Sequence, residues 1–132
     1  MLDFRSLQMA SASLAEALDA VKLRPTDAIV RDASIQRFEY NHELYVKSLR
    51  RQLKAISDAP AEIDALGSRD RIRAGAEKGL VTNETAWFGY RELRNITSHV
   101  YDPTRAQRVF AELPQFLSDA NALLARLLAA NS

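Results

Sequence analysis

Apolar residues recur at steps of three and four along almost the whole chain and never settle into strict alternation, a pattern that only helices can bury on one side. Leu7, Ala10, Leu14, Leu18 and Val21 form the first such stripe and predict an amphipathic helix from about Ser6 to Lys22. Arg24-Pro25 ends it, because the residue before proline is pushed out of the helical region. With four Gly and four Pro in 132 residues, few positions interrupt helix anywhere.

The same spacing predicts a long second helix from about Thr26 to Ser57, capped by Thr26 or Asp27, with Val30, Ser34, Phe38, Asn41, Tyr45, Leu49, Leu53 and Ile56 along one seam. Asp58 to Ser68, with Pro60 and Gly67, is expected to be a loop. Arg69 to Lys78 reads as a short third helix closed by Gly79 in the left-handed conformation. Thr82 or Asn83 caps a fourth that turns Trp87, Tyr90, Leu93 and Ile96 inward. Asp102-Pro103 starts a fifth, reaching about Ala129, with Val109, Phe110, Leu113, Leu117, Leu124 and Leu127 or Leu128 for the core. Pro114 is expected to kink or split it near Glu112. The expected fold is all-α, an up-and-down bundle of about five helices in a single domain over residues 1–132.

Charge limits the partners. Eighteen Lys and Arg against 17 Asp and Glu leave a formal charge of +1, short of the excess expected of a protein that binds any nucleic acid through phosphates. The balance is uneven, at −2 over residues 1–44, +4 over 45–110 and −1 over 111–132. No Cys is present, which removes disulfides and thiolate chemistry and fits a reducing interior. Neither a signal peptide nor a membrane span is read in the chain, so a cytoplasmic location is expected.

Catalytic templates are scarce. There is no Gly-rich phosphate loop and no paired-His zinc motif, and neither a metal nor a cofactor is expected. The informative segment is Arg94-Asn95-Ile96-Thr97-Ser98-His99-Val100-Tyr101, where the fourth helix should be ending. An imidazole can move a proton at neutral pH, and a guanidinium fork can hold a phosphate, so the pair suits cleavage of a phosphodiester. In RNA the 2′-hydroxyl supplies the nucleophile. On a regular helix, however, five residues turn through about 500°, leaving Arg94 and His99 about 140° apart. Either the helix loosens before His99, or a second copy of the chain completes the site.

The string from Arg94 to Tyr101 resembles the R-x4-H-x-Y signature of the HEPN superfamily. The stretches IQRFEYNHELYVKSLRRQL and AGAEKGLVTNETAW and the helix from Asp102 to Leu128 are similar to the branch called nucleotidyltransferase substrate-binding proteins. That resemblance implies a helical homodimer encoded beside a minimal nucleotidyltransferase. It also implies a metal-independent ribonuclease toxin acting on RNA, silenced when the nucleotidyltransferase antitoxin transfers AMP to the motif tyrosine. Carried over, Arg94 would stabilise the phosphate, His99 would be the acid-base residue, Asn95 the supporting polar residue and Tyr101 the acceptor of AMP. Two Arg94/His99 pairs would meet across the dimer axis. The alternative within the same branch is a noncatalytic subunit that presents a substrate or nucleotide to the nucleotidyltransferase.

Other groups carry weaker signals. Lys47, Arg50, Arg51 and Lys54 form a basic stripe, either an RNA or partner contact or, preferred, cations at the negative end of a helix. Trp87 and Tyr90 could stack on a base but are read as core. Glu39, His42 and Glu43 resemble a metal or acid-base cluster, yet a solvated face or ion pairs with Arg residues is the preferred reading.

Overall fold

The computed structural model describes residues 2–99 and 101–132. Its elements are α1 (Arg5–Leu23), α2 (Ala28–Ile56), α3 (Pro60–Ala65), α4 (Ser68–Glu77), α5 (Glu84–Ile96), a 3-10 turn (Thr97–His99) and α6 (Pro103–Ala130), with no strand among the described residues.

The four long helices alternate in direction. A short turn at Arg24–Asp27 folds α2 back along α1. The two ends of the chain meet beside the end of α2, since Leu2 N–H donates to Asn131 Oδ1 at 3.0 Å and Asn131 Nδ2 donates to Gln52 Oε1 at 2.8 Å. With Phe38 also against Phe116, α2 and α6 run parallel. Tyr45 faces Trp87 while Glu39 reaches Arg94, so α5 runs opposite to α2. This is the up-and-down order expected from the sequence, with α3 and α4 inserted between α2 and α5.

Burial explains the arrangement. Leu7, Leu14, Phe38, Tyr45, Leu53, Leu93, Leu113 and Leu127 are fully enclosed, and Phe116 is the hub of the aromatic core. Its ring centroid lies 4.8 Å from Phe38 and 5.1 Å from Tyr90, both edge-to-face, and 5.7 Å from Trp87. Trp87 and Tyr90 are therefore core residues, as their helical spacing predicted. Asp27 caps α2 by accepting from Ile29 N–H at 2.9 Å, and Asp102 caps α6 by accepting from Thr104 N–H at 2.9 Å. Gly79 closes α4 at φ +75°, the conformation that glycine alone adopts without cost.

Three expectations need correction. The segment expected to be a loop contains α3, with Pro60 at its first turn, which Lys54 secures by donating to Asp64 Oδ2 at 2.7 Å. Pro114 does not split the last helix: α6 is unbroken from Pro103 to Ala130, because Leu113, Phe116 and Ala120 are buried on both sides of the exposed proline. Packing of the flanking turns outweighs the missing N–H. Ile56, placed on the seam, is half exposed, since the core stops at Leu53.

Candidate functional site

Arg94 lies in the last turn of α5 and reaches across to α2. Its Nη1 is 3.1 Å from Glu39 Oε2 and donates to Thr97 Oγ1 at 3.0 Å, while Thr97 Oγ1 donates back to the Arg94 carbonyl at 2.6 Å. Thr97 is buried and Arg94 only partly exposed, so the guanidinium is held from two sides instead of sweeping through solvent. One turn later on α2, Glu43 pairs with Lys47 at 3.3 Å. The acidic pair flanking His42 therefore serves two different cations: Glu39 pairs with an Arg, as expected, whereas Glu43 pairs with Lys47 instead of an Arg, and among the described residues the two share no common ligand.

His42 itself is buried beside Phe38 and Phe116, with ring centroids 6.0 and 6.5 Å away. Burial, reinforced by the charges of Arg94 and Arg91, lowers its pKa to about 4, so the ring is neutral at physiological pH. Its edge lines an open groove of about 450 Å³ together with Lys47, Ser68, Arg91, Arg94 and Asn95. Glu43 lines it too, already paired with Lys47; the remaining neutral imidazole, guanidinium, amide and hydroxyl groups face one space, a donor set suited to an anion.

The helix does tighten into a 3-10 turn before His99, but this does not bring Arg94 and His99 onto one face. Turning about 100° per residue to Ile96 and about 120° through the 3-10 turn still leaves Arg94 and His99 on roughly opposite sides of the segment. Among the described residues, no hydrogen bond or ion pair joins them. His99 is exposed, and its ring lies 6.2 Å from that of Tyr101 at a steep angle. Tyr101 is 82% exposed. Val100 of the motif lies outside the described residues. One chain therefore brings together Arg94 and Asn95 at the groove, and His99 and Tyr101 beside each other, as two separate halves.

The basic stripe on α2 is divided. Lys47 lines the groove, Lys54 is committed to Asp64 on α3, and Arg50 and Arg51 do not line the groove. Sequence reasoning missed Glu39 as the partner of Arg94, Thr97 as its second anchor, and Arg91. The last was legible in principle, since Arg91 precedes Arg94 by three residues and Asn95 by four, the spacing of one helical face.

Similarity to known proteins covers this whole framework. A family profile described as nucleotidyltransferase substrate binding protein like matches residues 2–129. A Haemophilus influenzae protein named "Probable ribonuclease HepT" is 38% identical over 104 residues, 76% of this chain and 71% of its own length. The solved structure of HI0074 from Haemophilus influenzae, described as revealing the fold of a substrate binding domain of a nucleotidyltransferase, superposes with a TM-score of 0.88 at 32% identity. That match covers 95% of this chain and 98% of the other. A Thermus thermophilus protein matches with a TM-score of 0.72 at 28% identity, over 89% of this chain and 98% of the other.

Proposed function

This chain belongs to the family of nucleotidyltransferase substrate-binding-like proteins, and from that premise we propose that it is the ribonuclease half of a toxin-antitoxin pair, active as a homodimer and silenced by AMP transfer to Tyr101. The observation that carries the reading is the division of the motif. Arg94 is fixed at a cationic groove, His99 stands exposed on the far side of the same segment, and a twofold mate offering the complementary half gives both groups a common phosphate. The relative named as a ribonuclease supports the same chemistry.

In that cleft the RNA 2′-hydroxyl attacks the adjacent phosphorus and the bond to the 5′-oxygen breaks, leaving a 2′,3′-cyclic phosphate and a 5′-hydroxyl end. His99 moves the proton, Arg94 takes the charge that develops on the phosphoryl oxygens, and Asn95 adds a neutral donor beside it. Silencing follows from position. An adenylyl group transferred from ATP to the Tyr101 hydroxyl, with pyrophosphate leaving, sets a bulky anion beside His99. The enzyme that makes the transfer is a minimal nucleotidyltransferase encoded nearby.

A second reading has one observation in its favour. The structure matched at a TM-score of 0.88 is described as a substrate binding domain, and the groove here is large enough for a small ligand. On that reading the chain presents a substrate to the nucleotidyltransferase and cleaves nothing. Expression of the chain alone separates the two. The nuclease reading expects growth arrest relieved by Arg94→Ala or His99→Ala and by co-expression of the partner, with a mass increase on Tyr101. Harmless expression, together with an unmodified Tyr101 in an active complex, favours the noncatalytic subunit.

A further inference from the structure

A second groove, of about 370 Å³, opens between α4 and α5 and is lined by Ser68, Arg69, Phe88, Arg91 and Asn95 together with two carboxylates, Asp70, which pairs with Arg73, and Glu92. It shares Ser68, Arg91 and Asn95 with the groove that holds Arg94, so the two adjoin along the exposed face of α5. The cations differ in how far they are already satisfied. Arg94, Lys47 and Arg73 each have a carboxylate partner, in Glu39, Glu43 and Asp70. Among the described residues neither Arg69 nor Arg91 forms an ion pair. Arg91 is exposed where the grooves join, and the Arg69 Cζ lies over the Phe88 ring, 4.5 Å from its centroid.

We propose that Arg91 anchors a track for single-stranded RNA that crosses α5 from the Phe88-backed guanidinium of Arg69 to the Arg94 groove. The inference rests on the ribonuclease reading and gives the substrate its path. Single strands are held by cations along the backbone and by flat groups on which bases stack, and an arginine plane immobilised on an aromatic ring supplies such a platform. A protein partner fits this face less well. The cores of protein interfaces are aromatic and apolar, whereas the large exposed apolar side chains, Met9, Leu23, Ile29, Tyr40, Ile56, Tyr101 and Leu128, line neither groove.

The test is binding of a short single-stranded 2′-O-methyl oligoribonucleotide, which has no nucleophilic hydroxyl and so reports affinity without cleavage. Arg91→Glu is expected to weaken binding by about tenfold or more, and Arg91→Ala to flatten the dependence of log Kd on log salt by about 0.7. Arg69→Ala weakens it by about fivefold or more through the lost platform. Lys22→Glu, on α1 and lining neither groove, leaves it unchanged. Equal affinity for wild type and both Arg91 variants overturns the track. Loss of nucleotidyltransferase capture by Arg91→Glu with unaltered oligonucleotide binding overturns it too, and assigns the face to the protein partner. Unmodified RNA incubated with the wild type reads the other question independently. Arg91-dependent binding with no cleavage removes the nuclease reading and leaves the track standing, whereas cleavage without Arg91-dependent binding does the reverse.

Discussion

Glu39 Oε2 lies 3.1 Å from Arg94 Nη1, joining the middle of the longest helix to the end of the helix that carries the motif. The contact orients the guanidinium and at the same time cancels part of its charge, so Glu39 acts as a positioning residue. Glu39→Ala is expected to lower kcat for RNA cleavage by about tenfold with a smaller change in KM, as the guanidinium loses one of its two fixed contacts. Glu39→Gln keeps an acceptor oxygen and restores most of the rate. Loss of stability equal in both variants, with kcat unmoved, contradicts the positioning role.

His42 gives a pH dependence whose sign is fixed by burial. Its folded pKa, about 4, lies below the unfolded value near 6.5, so between those limits the unfolded chain binds more protons and stability rises with pH. Acidification from about pH 6.5 to 4 is expected to cost on the order of 3 kcal/mol through this one group. Denaturant melts of wild type and His42→Gln, compared across that window, isolate the contribution. The variant should lose the extra slope. In Arg94→Ala the His42 pKa, followed by NMR, should move upward, because one of the charges depressing it is gone.

Gly75 marks a close approach, not a flexible point. A Cβ there would lie 2.9 Å from Val81 Cγ2 and 3.0 Å from Leu49 Cδ1, both on buried side chains. Gly75→Ala gains up to about 1 kcal/mol of helix propensity. It must also push α4 away from α2, and overpacking of this kind costs about 1–3 kcal/mol. Net destabilisation of about 1 kcal/mol is expected by urea melt, with α4 shifting relative to α2. A stabilised variant contradicts the packing described here.

How much of this was readable beforehand depended on the range of the interaction. The spacing of Leu7, Leu14 and Val21, the Asp27 and Asp102 caps, and Gly79 are local signals, and each appears in the structure where it was placed. Helix α3 was missed because six residues are too few to show periodicity and none of them is buried. Pro114 misled because its local cost was visible while the burial of Leu113 and Phe116 around it was not. Within the site, the wide separation of Arg94 and His99 followed from helix geometry alone, although the 3-10 turn between them did not. The Glu39–Arg94 contact did not, because the partners lie far apart in sequence and meet only when α5 folds back along α2.

The central claim is that one cleft draws on two protomers, and mixing inactive chains tests it most directly. Arg94→Ala and His99→Ala homodimers are each expected to leave RNA intact, in the presence of a chelator, where the wild type cleaves it. After the two variants are unfolded and refolded together, a mixed dimer holds Arg94 from one protomer and His99 from the other. Recovery of a substantial fraction of wild-type cleavage in the mixture, absent from either variant alone, is the predicted result. A mixture as inactive as its components, from a wild type that cleaves, contradicts the shared cleft.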